Sequence, residues 1–86
     1  MEASKVIKYP VQSEKSIRIM ESQNMLIFAV DKKSTKTDVK KAMEQLFKVK
    51  VIEVNTFINP KGEKRAYVKL SKENPAIDIA TQLGLM

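Results

Sequence analysis

Short apolar runs separated by polar segments predict four strands and three helices along the chain. Met25–Val30 is apolar at every position, which is typical of a strand that is covered on both faces. Val49–Ile58 is rich in β-branched residues, and Lys64–Leu70 alternates polar and apolar residues with a period of two. Both patterns are typical of strands. The intervening Asn59–Glu63 contains a proline and a glycine, which favours a turn and therefore an antiparallel hairpin.

The two hairpin strands differ in the regularity of their pattern. Ile52, Val54, Thr56 and Ile58 alternate, but Val49 and Val51 fall in the opposite phase. A β-bulge, or burial of the strand on both faces, near Val51–Ile52 would reconcile the two phases. On the second strand, alternation places three residues together on one face, namely Arg65, Tyr67 and Lys69.

Ser13 and Glu14 predict the start of the first helix. A serine at the N-cap accepts a hydrogen bond from a free amide, and an acidic residue in the first turn complements the helix dipole. We expect this helix to run to about Gln23, with Asn24 ending it. Its apolar stripe is narrow, which predicts packing on one side only through Ile17, Met20 and partly Ile19.

The second helix has the clearest amphipathic pattern in the chain. Thr35 and Asp38 have the spacing of a capping box at its start. Apolar residues then recur at i, i+3, i+4 and i+7, which predicts a buried stripe of Val39, Ala42, Met43 and Leu46. Lys36 and Lys40 lie four residues apart at the border of that stripe, where two cations repel mildly and an anion would relieve the repulsion.

A third helix is predicted after Asn74 as N-cap and Pro75 as first helical residue, and Gly84 lies where a glycine ends a helix. Its predicted buried side comprises Ala76, Ile77, Ala80 and Leu83. A short first strand around Val6–Tyr9, ended by Pro10, completes the order β-α-β-α-β-β-α. We therefore expect one α+β domain over residues 1–86, a small sandwich with helices packed on a mostly antiparallel four-stranded sheet.

Composition excludes most chemistry. The chain has no cysteine and no histidine, which removes disulfides, thiolate ligands and the commonest general base. The two glycines lie far apart, so no glycine-rich phosphate loop exists, and the carboxylates form no calcium-loop pattern. We expect no enzymatic activity, no catalytic residue, no metal, no cofactor and no small-molecule substrate.

The apolar segments are too short to cross a membrane. The longest run, Met25–Val30, has six residues, whereas a membrane-spanning helix needs about 20. Met1–Lys5 contains no apolar stretch of the kind found in secretory signals. We therefore expect a cytoplasmic chain with no membrane insertion.

Positive charge is concentrated in two windows of the chain. The formal net charge is +6, and residues 32–41 and 61–72 each carry a local charge of +4. Concentrated cations attract phosphate polymers through counterion release. Lysine-rich segments also occur as plain solvated surface, but the clustering favours a nucleic-acid partner.

The basic windows and their neighbours supply the candidate RNA-binding residues. Lysines and arginine would neutralise phosphates, while amide and hydroxyl side chains would bond sugar or phosphate oxygens. The candidates are Lys8, Lys15, Lys32, Lys33, Lys36, Lys40, Asn55, Thr56, Lys61, Lys64, Arg65, Tyr67 and Lys69.

Tyr67 leaves two interpretations open. Ala66-Tyr67-Val68 fits part of the RNA-recognition-motif consensus, in which strand aromatics stack on bases. Leu70, however, stands where a second aromatic is expected, so a basic strand that contacts the RNA backbone fits better than a stacking platform. The second interpretation of Tyr67 is an ordinary strand aromatic that covers the sheet surface.

An ordered set of motifs resembles the universal L-twenty-three family of large-subunit ribosomal proteins. The set runs from about residue 6 to residue 84 and is specific through its order and spacing. Its members are Ser13-Glu14-Lys15-Ser16, Phe28-x-Val30-Asp31, Thr35-Lys36-x-x-Val39-Lys40-x-Ala42, Leu46-Phe47-x-Val49-Lys50-Val51, Val54-Asn55-Thr56 and Lys61-Gly62-x-Lys64-Arg65-Ala66-Tyr67-Val68.

The resemblance implies a structural protein bound to large-subunit ribosomal RNA beside the peptide exit tunnel, with other large-subunit proteins as neighbours. It also implies that Ser13 and Glu14 belong to a surface where signal recognition particle and nascent-chain chaperones dock. The pattern is archaeal: bacterial members have a long hairpin tip where this chain has the short Asn59–Glu63, and eukaryotic members have a long basic N-terminal extension. The tunnel-probing role of the bacterial tip is not expected here.

Two other functions compete with the ribosomal one. The chain would also fit a free-standing RNA-binding module that acts outside the ribosome, or a protein–protein adaptor whose lysines only keep it soluble. Only phosphate binding produces a steep dependence of affinity on salt concentration, which separates the RNA-binding functions from the adaptor.

Overall fold

The computed structural model of the chain describes residues 2–84. Within that range no helix is long and apolar enough to cross a membrane. The elements in chain order are α1 (Ala3–Val6), β1 (Ile7–Pro10), α2 (Glu14–Gln23), β2 (Met25–Val30), α3 (Lys36–Phe47), β3 (Val51–Ile58), β4 (Lys64–Leu70) and α4 (Ala76–Gln82).

The four strands form one sheet in the order β1-β2-β4-β3, and every neighbouring pair is antiparallel. β2 lies between β1 and β4, and all six of its residues are buried, as its continuous apolar pattern predicts. The predicted fold class, a small α+β sandwich with helices on an antiparallel four-stranded sheet, is confirmed.

The β3–β4 hairpin closes through a short hydrogen-bonded turn. The Asn59 side-chain oxygen accepts hydrogen bonds from the backbone amides of Lys61 and Glu63 at 3.0 and 2.9 Å. Gly62 has a φ of 84°, a left-handed conformation that costs glycine little. The register of β3 against β4 shifts between Val51 and Glu53, which confirms the predicted bulge.

Side-chain caps begin α2 and α3 where the sequence predicts them. Ser13 accepts a hydrogen bond from the Ser16 amide, and the Ser16 hydroxyl accepts one from the Ser13 amide. Thr35 and Asp38 form the same reciprocal pair at the start of α3. Such caps satisfy amides that the helix itself leaves free.

The hydrophobic core lies on one face of the sheet. It combines residues from all four helices with strand residues that point to one side of the sheet: Leu26, Phe28, Val30, Val51, Val54, Ala66, Val68 and Leu70. The opposite phase of β2 and β4 contributes nothing to this cluster. We call the first side the covered face and the other the open face.

The sequence did not predict α1. Val6, expected in the first strand, is instead the last residue of this one-turn helix and is 1% exposed in the core. No side chain caps the helix at Glu2, so no local sequence signal marks it. Packing of α1 against α3 accounts for the extra element.

Three apolar residues predicted to be buried are exposed instead: Ile17, Leu46 and Ile77. In α2 the buried side chains are instead Ser16 and Met20. Ser16 is small, and its capping hydrogen bonds to Ser13 hold its side chain against the body of the protein. Leu46 lies in the last turn of α3, where the half-buried Phe47 packs against Phe28 with ring centroids 6.2 Å apart.

The final helix lacks the predicted Asn74 cap. Its N-cap residue is Pro75 and its first helical residue is Ala76, so both predicted positions are wrong by one residue. The buried side is Ala76, Ile79 and Ala80, with Leu83 partly buried. Gly84 follows with a φ of 74°, as predicted for a glycine at a helix end.

Asn24 supplies the missing cap from the far end of α2. Its side-chain oxygen accepts a hydrogen bond from the Ala76 amide, and its Nδ2 donates to the carbonyls of Leu70, Ser71 and Asn74. Its own φ of 55° ends α2 in the left-handed conformation, which asparagine tolerates better than most residues. One residue therefore ties α2, β4 and α4 together.

Candidate nucleic-acid interface

The two basic windows meet at one end of the sheet. A Cβ atom at Gly62 would lie 3.5 Å from Lys32 Nζ, so the loop after β2 lies against the β3–β4 turn. Lys64 Nζ donates a hydrogen bond to the Ser34 carbonyl and joins the same two segments. We call this group the sheet-end cluster, and its members are Lys32, Lys33, Lys36, Lys61 and Lys64.

The loop that carries Lys32 and Lys33 is held rigid by Asp31. The Asp31 side chain accepts a hydrogen bond from the Lys33 amide at 2.8 Å. Its carbonyl accepts from both the amide and the hydroxyl of the buried Ser34. Because the loop is fixed by backbone contacts, the exposed lysine side chains are free to bind an external anion.

The open face carries a second group of candidate residues. Arg65, Tyr67 and Lys69 are partly buried there, while the residues between them point into the core. The register places Phe57 opposite Arg65 and Asn55 opposite Tyr67. The predicted projection of Arg65, Tyr67 and Lys69 from one face is therefore confirmed.

Two carboxylates belong to the same open face. Glu63 Oε2 accepts a hydrogen bond from the Tyr9 hydroxyl at 3.2 Å and lies 4.0 Å from a guanidinium nitrogen of Arg65. Glu53 lies opposite Lys69 in the register. The face therefore balances two cations with two acids, whereas the sheet-end cluster is mainly cationic.

Of the remaining candidates, Asn55 joins the open face opposite Tyr67, whereas Lys8, Lys15, Lys40 and Thr56 join neither group. Lys15 is exposed on α2, Lys40 on the outer side of α3 and Lys8 on the edge strand β1. Asn55 and Thr56 lie on opposite faces, since Thr56 pairs with the core residue Ala66. Adjacent strand residues alternate between faces, so their proximity in sequence separates them in space.

The pKa of Asp38, at the start of α3, lies below its ordinary value. The Thr35 backbone amide donates a hydrogen bond to its carboxylate and lowers the pKa, with the Thr35 hydroxyl contact acting in the same direction. The carboxylate is thus held charged at the start of α3. In residues 2–84 no cluster of acidic side chains could hold a metal ion.

Ser13 and Glu14 lie at the rim of an apolar groove of about 310 Å³ between α2 and the β1–β2 strands. Its lining includes Pro10, Ile17, Met20 and Leu26. Glu14 forms an exposed i,i+4 ion pair with Arg18, with Oε1 and Nη2 2.6 Å apart.

Sequence reasoning identified Tyr67 but missed two other aromatic residues of the open face, Phe57 and Tyr9. Phe57 and Tyr67 have ring centroids 5.1 Å apart and ring planes inclined by 58°. Tyr9, from the opposite edge of the sheet, is half exposed. Alternation along the strand places Phe57 on the same face as Asn55, two residues earlier. Only the register of β3 against β4 shows that Phe57 contacts Tyr67.

These features define a small basic α+β domain with cations collected at one end of its sheet and one sheet face left open. Comparison with known proteins gives it a family. The family model for ribosomal protein L23 matches residues 5–79.

Three relatives, each called large ribosomal subunit protein uL23, come from Methanococcus aeolicus, Methanococcus vannielii and Methanococcus maripaludis. They are 51%, 49% and 44% identical to this chain over 85 residues, and each alignment covers 99% of both proteins. The chain belongs to the ribosomal protein L23 family.

The family match confirms two predictions made from the sequence. The resemblance to L-twenty-three proteins is confirmed, and its archaeal pattern agrees with the methanogen relatives. The chain is also not an enzyme, since the family consists of ribosomal proteins.

Proposed function

We propose that the chain is a structural constituent of the large ribosomal subunit and binds large-subunit ribosomal RNA beside the peptide exit tunnel. The observation that carries this proposal is the sheet-end cluster, in which two basic windows distant in sequence lie side by side. The relatives are named as large-subunit proteins, which supports the same setting. The chain would work by binding alone, in the cytoplasm and among neighbouring large-subunit proteins.

The sheet-end cluster is suited to the RNA backbone. Its side chains are ammonium groups, which neutralise phosphates as point charges and carry no sequence information. Four of them, Lys32, Lys33, Lys36 and Lys61, are exposed at one end of the molecule. Each phosphate contact would add about 0.7–0.9 to the slope of log affinity against log salt concentration.

A charge-matched pair of variants tests the RNA-binding role. Replacing Lys32, Lys33, Lys36 and Lys61 with glutamine should reduce that salt slope for large-subunit ribosomal RNA by up to about 3. The control replaces four exposed cations that lie outside both basic windows and outside the candidate set, Lys5, Arg18, Lys48 and Lys50, with glutamine. Equal slopes for the two variants would show that net charge alone, without a defined site, accounts for binding.

Sedimentation separates the ribosomal function from a free-standing RNA-binding module. A ribosomal protein remains with large subunits after a moderate-salt wash of cell lysate, whereas a free module is released. Release of the chain from otherwise intact subunits would contradict the structural role.

The groove beside Ser13 and Glu14 supports a second part of the proposal, the docking of signal recognition particle and nascent-chain chaperones. An apolar floor with an acidic rim fits a protein segment that offers an apolar side chain next to a basic one. The partner's basic group would replace Arg18 as the ion-pair partner of Glu14.

Substitution at Glu14 tests the docking role. Glu14→Lys should weaken factor binding to ribosomes by more than it lowers the stability of the chain, because an attraction becomes a repulsion. Arg18→Gln breaks the same internal ion pair but leaves the carboxylate in place, so it serves as the matched control. Unchanged factor affinity in Glu14→Lys ribosomes would exclude the docking role.

A further inference from the structure

The open face carries an aromatic pair that the core does not require. Phe57 is 40% exposed, and Tyr67 is only partly buried. The two rings are inclined by 58°, so neither ring covers the full face of the other. No helix of residues 2–84 contributes core contacts from this side.

Polar groups surround the pair in a defined arrangement. The strand register places Asn55 opposite Tyr67, and Arg65 opposite Phe57, so an amide and a guanidinium flank the two rings. Arg65 Nε is buried and has no hydrogen-bond partner among the described residues. The Arg65 side chain as a whole is 33% exposed, so the rest of its guanidinium remains accessible to a ligand acceptor.

We propose that the open face binds an unpaired RNA base, which stacks on the Phe57–Tyr67 pair. Asn55 would hydrogen-bond the base edge, and Arg65 and Lys69 would contact the adjoining ribose-phosphate. The proposal rests on the RNA-binding part of the proposed function and names a second, chemically different contact. It selects the stacking interpretation of Tyr67, which the sequence left open.

The charges of the open face determine how this contact should behave. Arg65 and Lys69 are balanced on the same face by Glu63 and Glu53. Binding there consequently gains little from counterion release, which depends on net neutralised phosphates. Stacking should therefore raise RNA affinity at every salt concentration, while the sheet-end cluster accounts for the salt dependence.

Tyrosine fluorescence reports on this stacking directly. The chain has two tyrosines and no tryptophan, so Tyr9→Phe leaves Tyr67 as its only strong emitter. We expect saturable quenching when an oligoadenylate of about 8 nucleotides is added, a length within the range that single-strand-binding folds cover. A matched oligomer of abasic ribose-phosphate should leave the emission unchanged. Equal quenching by both oligomers, or none by either, would overturn the proposal.

Affinity for large-subunit ribosomal RNA gives the second test. Tyr67→Leu should weaken binding by about 5- to 100-fold, the range expected for loss of one base–aromatic stack, with an unchanged salt slope. Tyr67→Phe keeps the ring and should retain wild-type affinity, so it serves as the matched control. If Tyr67→Leu fails to fold, the quenching experiment, which needs no Tyr67 substitution, still decides the matter.

The outcomes separate this inference from the proposed function. A wild-type chain that binds ribosomal RNA with a steep salt slope, but whose affinity is unaffected by Tyr67→Leu, would contradict stacking alone. A chain that binds no ribosomal RNA would contradict both. If Tyr67→Leu leaves RNA affinity intact but lowers incorporation into large subunits, the face contacts a neighbouring protein and the inference is wrong.

Discussion

The two faces of the sheet are made by the same strands and differ in what they can tolerate. On β4, Ala66 and Val68 are fully buried among helix residues, whereas Arg65 and Tyr67, between and beside them, are partly exposed. The covered face holds small and branched apolar side chains that fill the space under the helices. On β3 and β4 the open face holds long polar and aromatic side chains with room to meet a partner, whereas its β2 residues, Met25, Ile27 and Ala29, are buried. We therefore expect stability to depend on the covered face, and the proposed base contact to depend on the open face.

Substitutions should lower the free energy of unfolding more on the covered face than on the open face. The largest loss is expected at the centre of the core. Met43→Ala should lower the free energy of unfolding by about 2–5 kcal/mol, because Met43 is fully buried and its loss leaves a cavity. Leu46→Ala, on the same helix but 44% exposed, should cost less than about 1 kcal/mol. Urea denaturation of both variants measures the difference, and equal losses would show that the α3 stripe faces elsewhere.

Asn24 is expected to give the next largest effect. Asn24→Ala removes the cap of α4 and the donor to three carbonyls, and it places an alanine in the left-handed conformation. We expect a loss of about 2–4 kcal/mol from these unsatisfied groups and the added backbone strain. Asn24→Gly keeps the left-handed conformation accessible, so its loss of stability measures the side-chain hydrogen bonds without the backbone strain. Thermal unfolding that leaves either variant at wild-type stability would refute the linking role.

On the open face, an aromatic residue should matter much less for stability. Phe57→Leu removes the ring contact with Tyr67 but keeps an apolar strand residue. It should therefore lower the free energy of unfolding by about 0.5–1.5 kcal/mol, the usual contribution of an aromatic pair. Denaturant unfolding of Phe57→Leu and Met43→Ala under the same conditions compares the two losses of stability. A loss as large as that of Met43→Ala would mean that the open face contributes as much to the stability of the fold as the core does.

The smallest expected effect concerns pH and the start of α3. The folded state lowers the pKa of Asp38 below its ordinary value of 3.8, because the Thr35 amide donates to the charged carboxylate. The charged form is thus favoured in the folded state, and its stabilising contribution is present above pH 3.8 and disappears as pH falls through the lowered pKa. The stability difference between wild type and Asp38→Asn should accordingly shrink in acid. Thermal unfolding between neutral pH and acid measures it, and a difference that is constant with pH would contradict the assignment.

Much of the fold was predictable because its signals are local. The caps at Ser13 and Thr35, the turn at Asn59–Glu63 and the buried strand Met25–Val30 each depend on neighbouring residues. α1 has no such signal, since it forms only where Val6 can pack into the core.

The candidate site was predictable in part. Alternation on β4 was enough to group Arg65, Tyr67 and Lys69. It was not enough to bring Lys32 beside the β3–β4 turn, or Phe57 beside Tyr67, because these contacts join segments more than 9 residues apart and depend on strand order and register.

The sequence by itself determined the α+β class, the hairpin, the basic character and the family of this protein. These properties follow from residue periodicity, turn chemistry and the ordered motifs, all of which can be identified from the order of the residues alone. The tertiary structure alone decided that helices cover a single face, that Asn24 caps a helix distant in sequence, and that two basic windows become one cluster. The reason is physical: periodicity specifies which residues share a face, but only packing decides which of the faces is buried and which is left for a partner.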